Sequence, residues 1–153
     1  MKVITIAVTV LLGFSSIVYA GEMNDTQFKA WMSGIAVDGK TFYTMEIEGA
    51  ARQAMFVNPT NPSVGSRMIA MVPIKEFNDY QKTVENPKMQ MGPTQGFVYQ
   101  GMRTVVIDTM SEIGLMAAVE AKNINKTIVM TFPSQSSRAV IEAGLAQTGL
   151  YQK

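Results

Sequence analysis

The sequence predicts an α+β domain in which helices pack on an antiparallel sheet of about five to six strands. Two observations lead to this class. Segments such as 41–47 and 127–132 have the β-branched and aromatic content of strands, whereas the segment after Asn24 spaces its apolar residues as a helix does. Loop signals rich in Pro, Gly and Asn separate these segments, and no internal repeat is visible.

The N-terminus has the pattern of a signal peptide. Lys2 is followed by an apolar stretch, and the small residue Ala20 precedes Gly21 at a suitable cleavage point. We therefore expect residues 1–20 to be a signal peptide and residues 21–153 to form a single α+β domain. Because the apolar stretch is shorter than the roughly 20 residues that span a bilayer, we expect no stable membrane insertion after cleavage.

Charge and cysteine content narrow the compartment and the partners. Of the 13 Lys and Arg residues, only Lys2 falls within residues 1–20, so 12 cationic residues remain against 12 acidic ones. A neutral mature chain lacks the basic footprint of a nucleic-acid-binding protein. The chain has no cysteine, so an exported protein of this kind must rely on packing alone, which favours a periplasmic location.

The first half of the chain alternates helical and strand signals. Asn24 or Asp25 is a suitable N-cap for a helix that turns one apolar face to the core. Pro73 is placed to start a second helix, which Asn86-Pro87 would end. Strands are expected between these helices over residues 41–47, 53–57 and 67–72.

The second half ends in a strand and a helix. Strand character covers residues 97–107, with a bend expected at Gln100-Gly101, and returns over residues 127–132. The last helix is expected from about Ser136 to Gln147, where Gly149 would provide a C-terminal cap.

Residues 109–122 leave two folds open. Their Leu, Met, Ala and Glu content favours a helix, whereas Leu115, Ala117, Val119 and Ala121 alternate as a strand would. A helix would make the C-terminal half a βαβα unit, which is the α/β alternative to the antiparallel sheet. A strand would instead form a hairpin that turns at residues 122–125.

The order of elements resembles that of DcrB-like periplasmic proteins of the PsbP-like fold. The resemblance rests on the exported N-terminus, the stretch "YQGMRTVVID", the strand and Phe-Pro junction in "KTIVMTFPSQ", and the closing helix. It covers roughly residues 38–150 and includes no catalytic motif. It implies an antiparallel sheet with helices packed on it, and so favours the hairpin. It also implies accessory binding rather than catalysis.

No catalytic constellation is visible, so we expect no enzyme activity. A nucleophilic serine needs a base within hydrogen-bond reach, and the chain has no histidine. Ser134 and Ser136 are therefore predicted to be helix N-caps rather than catalytic or anion-binding residues. Glu46 and Glu48 share one face of a predicted strand, which a solvated surface explains without a metal. We expect no cofactor.

Methionine is the unusual component of the composition. The chain contains 13 Met residues, among them Met89 and Met91 in a loop that is rich in Pro and Gly. Thioethers are soft ligands for Cu(I), and Met89 with Met91 is the pair that such an activity would use first. Adaptable packing explains most of the Met residues, and the high apolar content also suggests a carrier of a small apolar ligand.

The function predicted from these observations is protein binding. A non-catalytic periplasmic chain of this kind suits an accessory, chaperone or toxin-neutralising module whose partner is another envelope or exported protein. The candidate partner-binding residues are apolar or aromatic side chains that we expect to be exposed, namely Met89, Met91, Phe97, Tyr99 and Tyr80.

Overall fold

The computed structural model describes residues 21–85 and 94–151 of the chain. These residues form mostly a curled antiparallel sheet, together with three α-helices. The predicted signal peptide, residues 1–20, lies outside the described residues, and so do Met89 and Met91. Within the described part of the chain, none of the helices combines the length and the apolar character that crossing a membrane requires.

Within residues 21–85 and 94–151 the sheet has eight strands. They are β1 (Ala36–Val37), β2 (Lys40–Glu48), β3 (Ala51–Val57), β4 (Ser66–Pro73), β5 (Thr94–Tyr99), β6 (Met102–Asp108), β7 (Leu115–Ala121) and β8 (Lys126–Phe132). Their spatial order is β1-β2-β3-β4-β8-β7-β6-β5, and every neighbouring pair is antiparallel. Each half of the chain is thus a four-stranded meander, and the pairing of β4 with β8 joins the two.

The predicted sheet of five to six strands was wrong, because two tight turns add strands that the sequence pattern did not separate. Gln100 and Gly101 both have positive φ, 52° and 78°, so residues 97–107 fold back as the hairpin of β5 and β6 instead of bending within one strand. Asp38 and Gly39, with φ of 51° and 72°, likewise turn the short β1 onto β2.

Residues 115–121 are a strand, and the βαβα alternative is therefore wrong. β7 pairs with β6 on one side and with β8 on the other. Ala117 and Val119 pack in the larger core, whereas Ala118 packs on the opposite face of the sheet. A strand buried on both faces has few polar positions, which is why its composition resembled that of a helix. Asn125, with φ of 53°, completes the turn into β8.

Three helices cover the two faces of the sheet. They are α1 (Asp25–Ser33), α2 (Phe77–Glu85) and α3 (Arg138–Gln147). The Asn24 side chain accepts a hydrogen bond from the Gln27 backbone N–H at 2.9 Å, and the Gln27 side chain accepts one from the Asn24 N–H at 2.9 Å. This capping box fixes the start of α1. A 3₁₀ turn at Ile74–Glu76 leads from β4 into α2.

The larger core lies between the sheet and the helices α1 and α3. Phe28 of α1, Ile141 and Leu145 of α3, and Met130 of β8 are fully buried in it. The Trp31 indole N–H donates to the Thr148 carbonyl at 2.6 Å and ties α1 to the end of α3. α3 approaches the sheet closely at Gly144, where an added Cβ would lie 2.5 Å from the Phe132 ring.

The smaller core lies on the opposite face, beneath α2. Phe77 of α2 is fully buried there against Ala70, Val105 and Val129 of the sheet. α2 is nine residues long, so it spans part of this face only. A row of side chains next to it, which includes Met55 and Met116, is left half-buried.

Candidate interaction site

Phe97 and Tyr99, two of the predicted partner-binding residues, lie on one face of the edge strand β5. Both are half-buried. The Arg138 guanidinium sits 4.2 Å from the centre of the Phe97 ring, and the Tyr99 and Tyr151 rings meet edge to face with centroids 4.8 Å apart. Both side chains therefore contact the C-terminal part of their own chain, and Phe97 also packs against the larger core.

Tyr80, the third predicted partner-binding residue within the described residues, lies on the other face of the sheet. It belongs to α2 and packs, half-buried, against the smaller core. Burial raises the pKa of the Tyr80 hydroxyl, and the carboxylates of Glu76 and Asp79 raise it further. The structure thus brings Phe97 and Tyr99 together but separates Tyr80 from them. Because the placement of Met89 and Met91 is not described, the predicted set stays a prediction.

The serine turn before α3 is structural, but the capping residue differs from the expectation. The Ser137 hydroxyl oxygen accepts a hydrogen bond from the Val140 backbone N–H at 3.3 Å, so Ser137 is the N-cap. Ser136 instead donates to the Pro133 carbonyl at 2.7 Å, and Ser134 is exposed. The predicted N-caps at Ser134 and Ser136 were therefore wrong, since the N-cap lies three residues after Ser134 and one residue after Ser136.

The carboxylates Glu46 and Glu48 lie on a solvated strand. Both are exposed on β2, opposite Gln53 and Ala51 of β3, and the Gln53 side-chain amide donates to Glu48 at 3.3 Å. Among the described residues, no group of three or more acidic, histidine or cysteine side chains is arranged to hold a metal ion.

The turn between β6 and β7, residues 109–114, exposes two large apolar side chains. Met110 is 66% exposed and Ile113 is 56% exposed. Turns of this length normally carry polar residues or Gly at their tips, because those positions face water. Two large apolar side chains within four residues therefore form an exposed apolar tip, and neither residue was among the predicted partner-binding residues.

Hydrogen bonds within the turn fix the backbone that carries these side chains. The Thr109 backbone N–H and hydroxyl both donate to the Gly114 carbonyl, at 3.0 and 2.7 Å, and the Gly114 N–H donates to the Ser111 carbonyl at 3.0 Å. The Ser111 hydroxyl lies 2.8 Å from that of Thr109 and accepts from the Ile113 N–H at 3.3 Å. The backbone of the turn is therefore held by hydrogen bonds despite its exposure.

Met110 has a backbone conformation that few large side chains adopt. Its φ is 53°, in the left-handed region, where a non-glycine residue is uncommon. The Asp108 carboxylate accepts a hydrogen bond from the Met110 N–H at 2.9 Å and holds this geometry. As a result, the Met110 side chain is presented outward from a constrained backbone.

Gly114 anchors the turn to the rest of the sheet. Its φ is 83°, and an added Cβ would overlap the Phe132 carbonyl oxygen and crowd the Ser134 N–H. The turn consequently rests against the end of β8 and the serine turn. A signal for this arrangement exists in the sequence, since Asp108 precedes Thr, Ser and Gly at positions typical of Asx and Ser/Thr turns.

The perturbed charged groups of the described chain have structural explanations. Arg103 of β6 donates to both carboxylate oxygens of Glu120 of β7, at 2.8 Å each. This hydrogen-bonded pair lowers the pKa of Glu120 and raises that of Arg103. The Arg103 guanidinium also lies 5.0 Å from the centre of the Phe77 ring, so the pair joins α2 to the sheet.

Tyr151 carries a buried hydroxyl. This hydroxyl has no well-formed hydrogen bond within the described residues. Burial raises the pKa of Tyr151 to about 12, and the nearby Thr104 hydroxyl offsets only part of the rise. The Tyr151 ring packs against the Tyr99 ring, so Tyr151 makes an aromatic contact between the C-terminal segment and β5.

Comparison with known proteins assigns no family, since no family model, curated protein or solved structure matches this chain. The resemblance to DcrB-like proteins therefore stays a prediction. A proposal about function therefore rests on the chemistry of the described surface.

Proposed function

We propose that this protein is a non-catalytic binding module of the cell envelope that contacts another exported protein through the apolar tip of residues 109–114. The observation that carries the proposal is the exposure of Met110 and Ile113 on a turn whose backbone is held by its own hydrogen bonds. Exposed apolar groups of this kind are typical of protein-binding surfaces.

The order of the turn supports a role in recognition. Binding costs conformational entropy when a loop must become ordered, and a loop that is already fixed avoids much of that cost. Met110 adds an adaptable thioether side chain, which suits an irregular apolar pocket, and Ile113 adds a branched and stiffer one. Together they would fill an apolar pocket on the partner.

A non-catalytic role agrees with the chemistry of the described residues. The chain has neither histidine nor cysteine, the residues most often used as bases and as strong nucleophiles. The groups with shifted pKa values, Tyr80, Arg103, Glu120 and Tyr151, each owe the shift to burial or to a neighbouring charge within the fold.

A protein partner fits the tip better than a membrane surface does. Glu112 lies between Met110 and Ile113 in the turn and is exposed. Asp108 is the residue immediately before the turn. Bilayer surfaces are commonly anionic, so two carboxylates at the point of contact would oppose insertion. A pocket on a protein can match this charge with a basic rim.

The test uses the mature protein as bait in its own envelope fraction. The double variant Met110→Ser, Ile113→Ser should lose a captured protein that the unchanged chain retains, while its thermal midpoint stays close to the original because both side chains are already exposed. Val98→Ser is the matched control, since Val98 is 63% exposed on β5, away from the turn.

Two results would contradict the proposal. One is capture of the same protein by the double variant and by the unchanged chain alike. The other is binding to vesicles of anionic phospholipid that the double variant loses, because this would assign the tip to a membrane surface. The captured protein must also bind the purified chain directly for the proposal to stand.

A further inference from the structure

Three methionines lie in one row across the face of the sheet that α2 covers only in part. Met55 of β3 is directly opposite Met68 of β4. Thr131 of β8 comes next, since its hydroxyl oxygen accepts from the Met68 N–H at 3.0 Å, and Met116 of β7 is paired with Thr131. The row is thus Met55, Met68, Thr131, Met116, with one side chain from each of four neighbouring strands.

The spacing of the row allows the thioethers to approach one another. Directly opposite residues on neighbouring antiparallel strands have Cβ atoms about 4.5–5.5 Å apart. Met68 and Met116 are two strands apart, about 10 Å, with the shorter Thr131 between them. Methionine has three rotatable bonds, so the side chains of Met68 and Met116 can lean over Thr131 from either side.

Burial and the face of the sheet together distinguish this group from the other described methionines. Met23, Met32, Met71 and Met130 are at most 2% exposed and fill the larger core. Met45 and Met102 are half-buried on the opposite face, on β2 and β6. Met110 stands alone on its turn.

The three row methionines are half-buried, which leaves part of each side chain open to solvent. Among the described residues they are the one group of half-buried methionines at neighbouring positions on this face of the sheet, where Met68 and Met116 also pack against the smaller core.

We propose that Met55, Met68 and Met116 form a binding site for a soft monovalent cation of the Cu(I) class. The chain has no cysteine and no histidine, so thioethers are its only soft donors. Thioether sulfur selects Cu(I) over hard cations such as Mg²⁺ and Ca²⁺. The exposed Glu46, two residues along β2 from the Thr44 that pairs with Met55, adds negative charge near the row.

The site differs from the Met89 and Met91 pair that the sequence suggested, and it does not depend on the proposed partner binding. Its ligands come from three strands with a fixed register, so the fold and not a loop brings them together. The Met110 and Ile113 variants should leave cation binding unchanged.

The probe is Ag(I), an air-stable soft cation, titrated as silver nitrate into the mature protein in chloride-free buffer. We expect one Ag(I) bound per chain, and we expect the ε-methyl NMR signals of Met55, Met68 and Met116 to shift together. Met55→Leu, Met68→Leu and Met116→Leu should each weaken binding by about tenfold or more, since even loss of a supporting group around a metal commonly does so.

The controls separate this site from the other methionines. Met45→Leu and Met102→Leu, on the opposite face, should leave the affinity unchanged, and so should the double variant Met89→Leu, Met91→Leu. The proposal fails if the unchanged protein does not bind Ag(I), if other methyl signals shift instead, or if only the Met89 and Met91 variant loses binding. The methyl shifts decide the matter even where a leucine variant does not fold.

Discussion

At the scale of single residues, the side-chain type predicted that a serine caps the last helix, but it did not predict which serine does so. Ser137 has an extended backbone, with φ −71° and ψ 162°, and this conformation lets its hydroxyl reach the Val140 N–H. Ser136 lies one residue earlier and bonds back to Pro133. The backbone geometry therefore determines which serine is the N-cap. The sequence holds no signal that distinguishes Ser137 from the neighbouring serines in this respect.

Ser137→Ala should lower the free energy of unfolding by about 0.5–2 kcal/mol, the usual cost of losing an N-cap. Ser134→Ala, at an exposed position of the same turn, should cost less. Chemical denaturation of both variants measures the difference. Equal losses, or a larger loss for Ser134→Ala, would show that Ser137 does not cap α3.

At the scale of elements, pairing across strands explains both the order of the sheet and its charged contacts. β7 has core on both faces, so the sheet overrode the helical preference of its Leu, Met and Ala residues. Where the strands β6 and β7 approach α2, the Arg103–Glu120 pair adds to the apolar packing of the smaller core. Such a directly opposed pair of charges stabilises neighbouring strands.

The pair makes stability depend on pH in a defined direction. The folded pKa of Glu120 is lowered from its ordinary 4.5, so its stabilisation is present above about pH 4.5 and is lost as the pH falls through the folded pKa. Glu120→Gln should therefore lose about 0.2–1 kcal/mol at neutral pH, since Arg103 is partly exposed and screened by solvent.

The measurement is urea denaturation of both proteins between pH 7 and pH 2. The difference between the unchanged chain and Glu120→Gln should shrink towards the acid end. Glu112→Gln, which alters an exposed carboxylate with no ion pair among the described residues, is the reference. If the difference in the free energy of unfolding stays constant over this range, the ionisation of Glu120 contributes nothing to stability.

At the scale of the whole molecule, the sequence predicted local elements better than it predicted their number. Asn24 at the start of α1 and Pro73 before the turn into α2 are local signals, and the structure uses both. The count of strands failed at Gln100, because a positive φ at a glutamine turns the chain where the sequence suggested only a bend.

The candidate site was harder to predict for a similar reason. Whether Met110 and Ile113 are exposed depends on residues 109–114 being the end of a hairpin, and this in turn depends on β7 being a strand. Phe97 and Tyr99 were predicted to be exposed, and contacts with Arg138 and Tyr151 from the C-terminal segment leave both half-buried. Exposure is a property of the assembled fold.

Site-specific photocrosslinking in intact cells tests directly whether residues 109–114 contact a partner protein. A photoreactive phenylalanine analogue placed at position 110 should yield a crosslinked adduct with one envelope protein, because the tip lies within the contact. The same analogue at position 98, which is also exposed, should yield no such adduct. An adduct at position 98 but none at position 110 would contradict the account and place the contact on another surface.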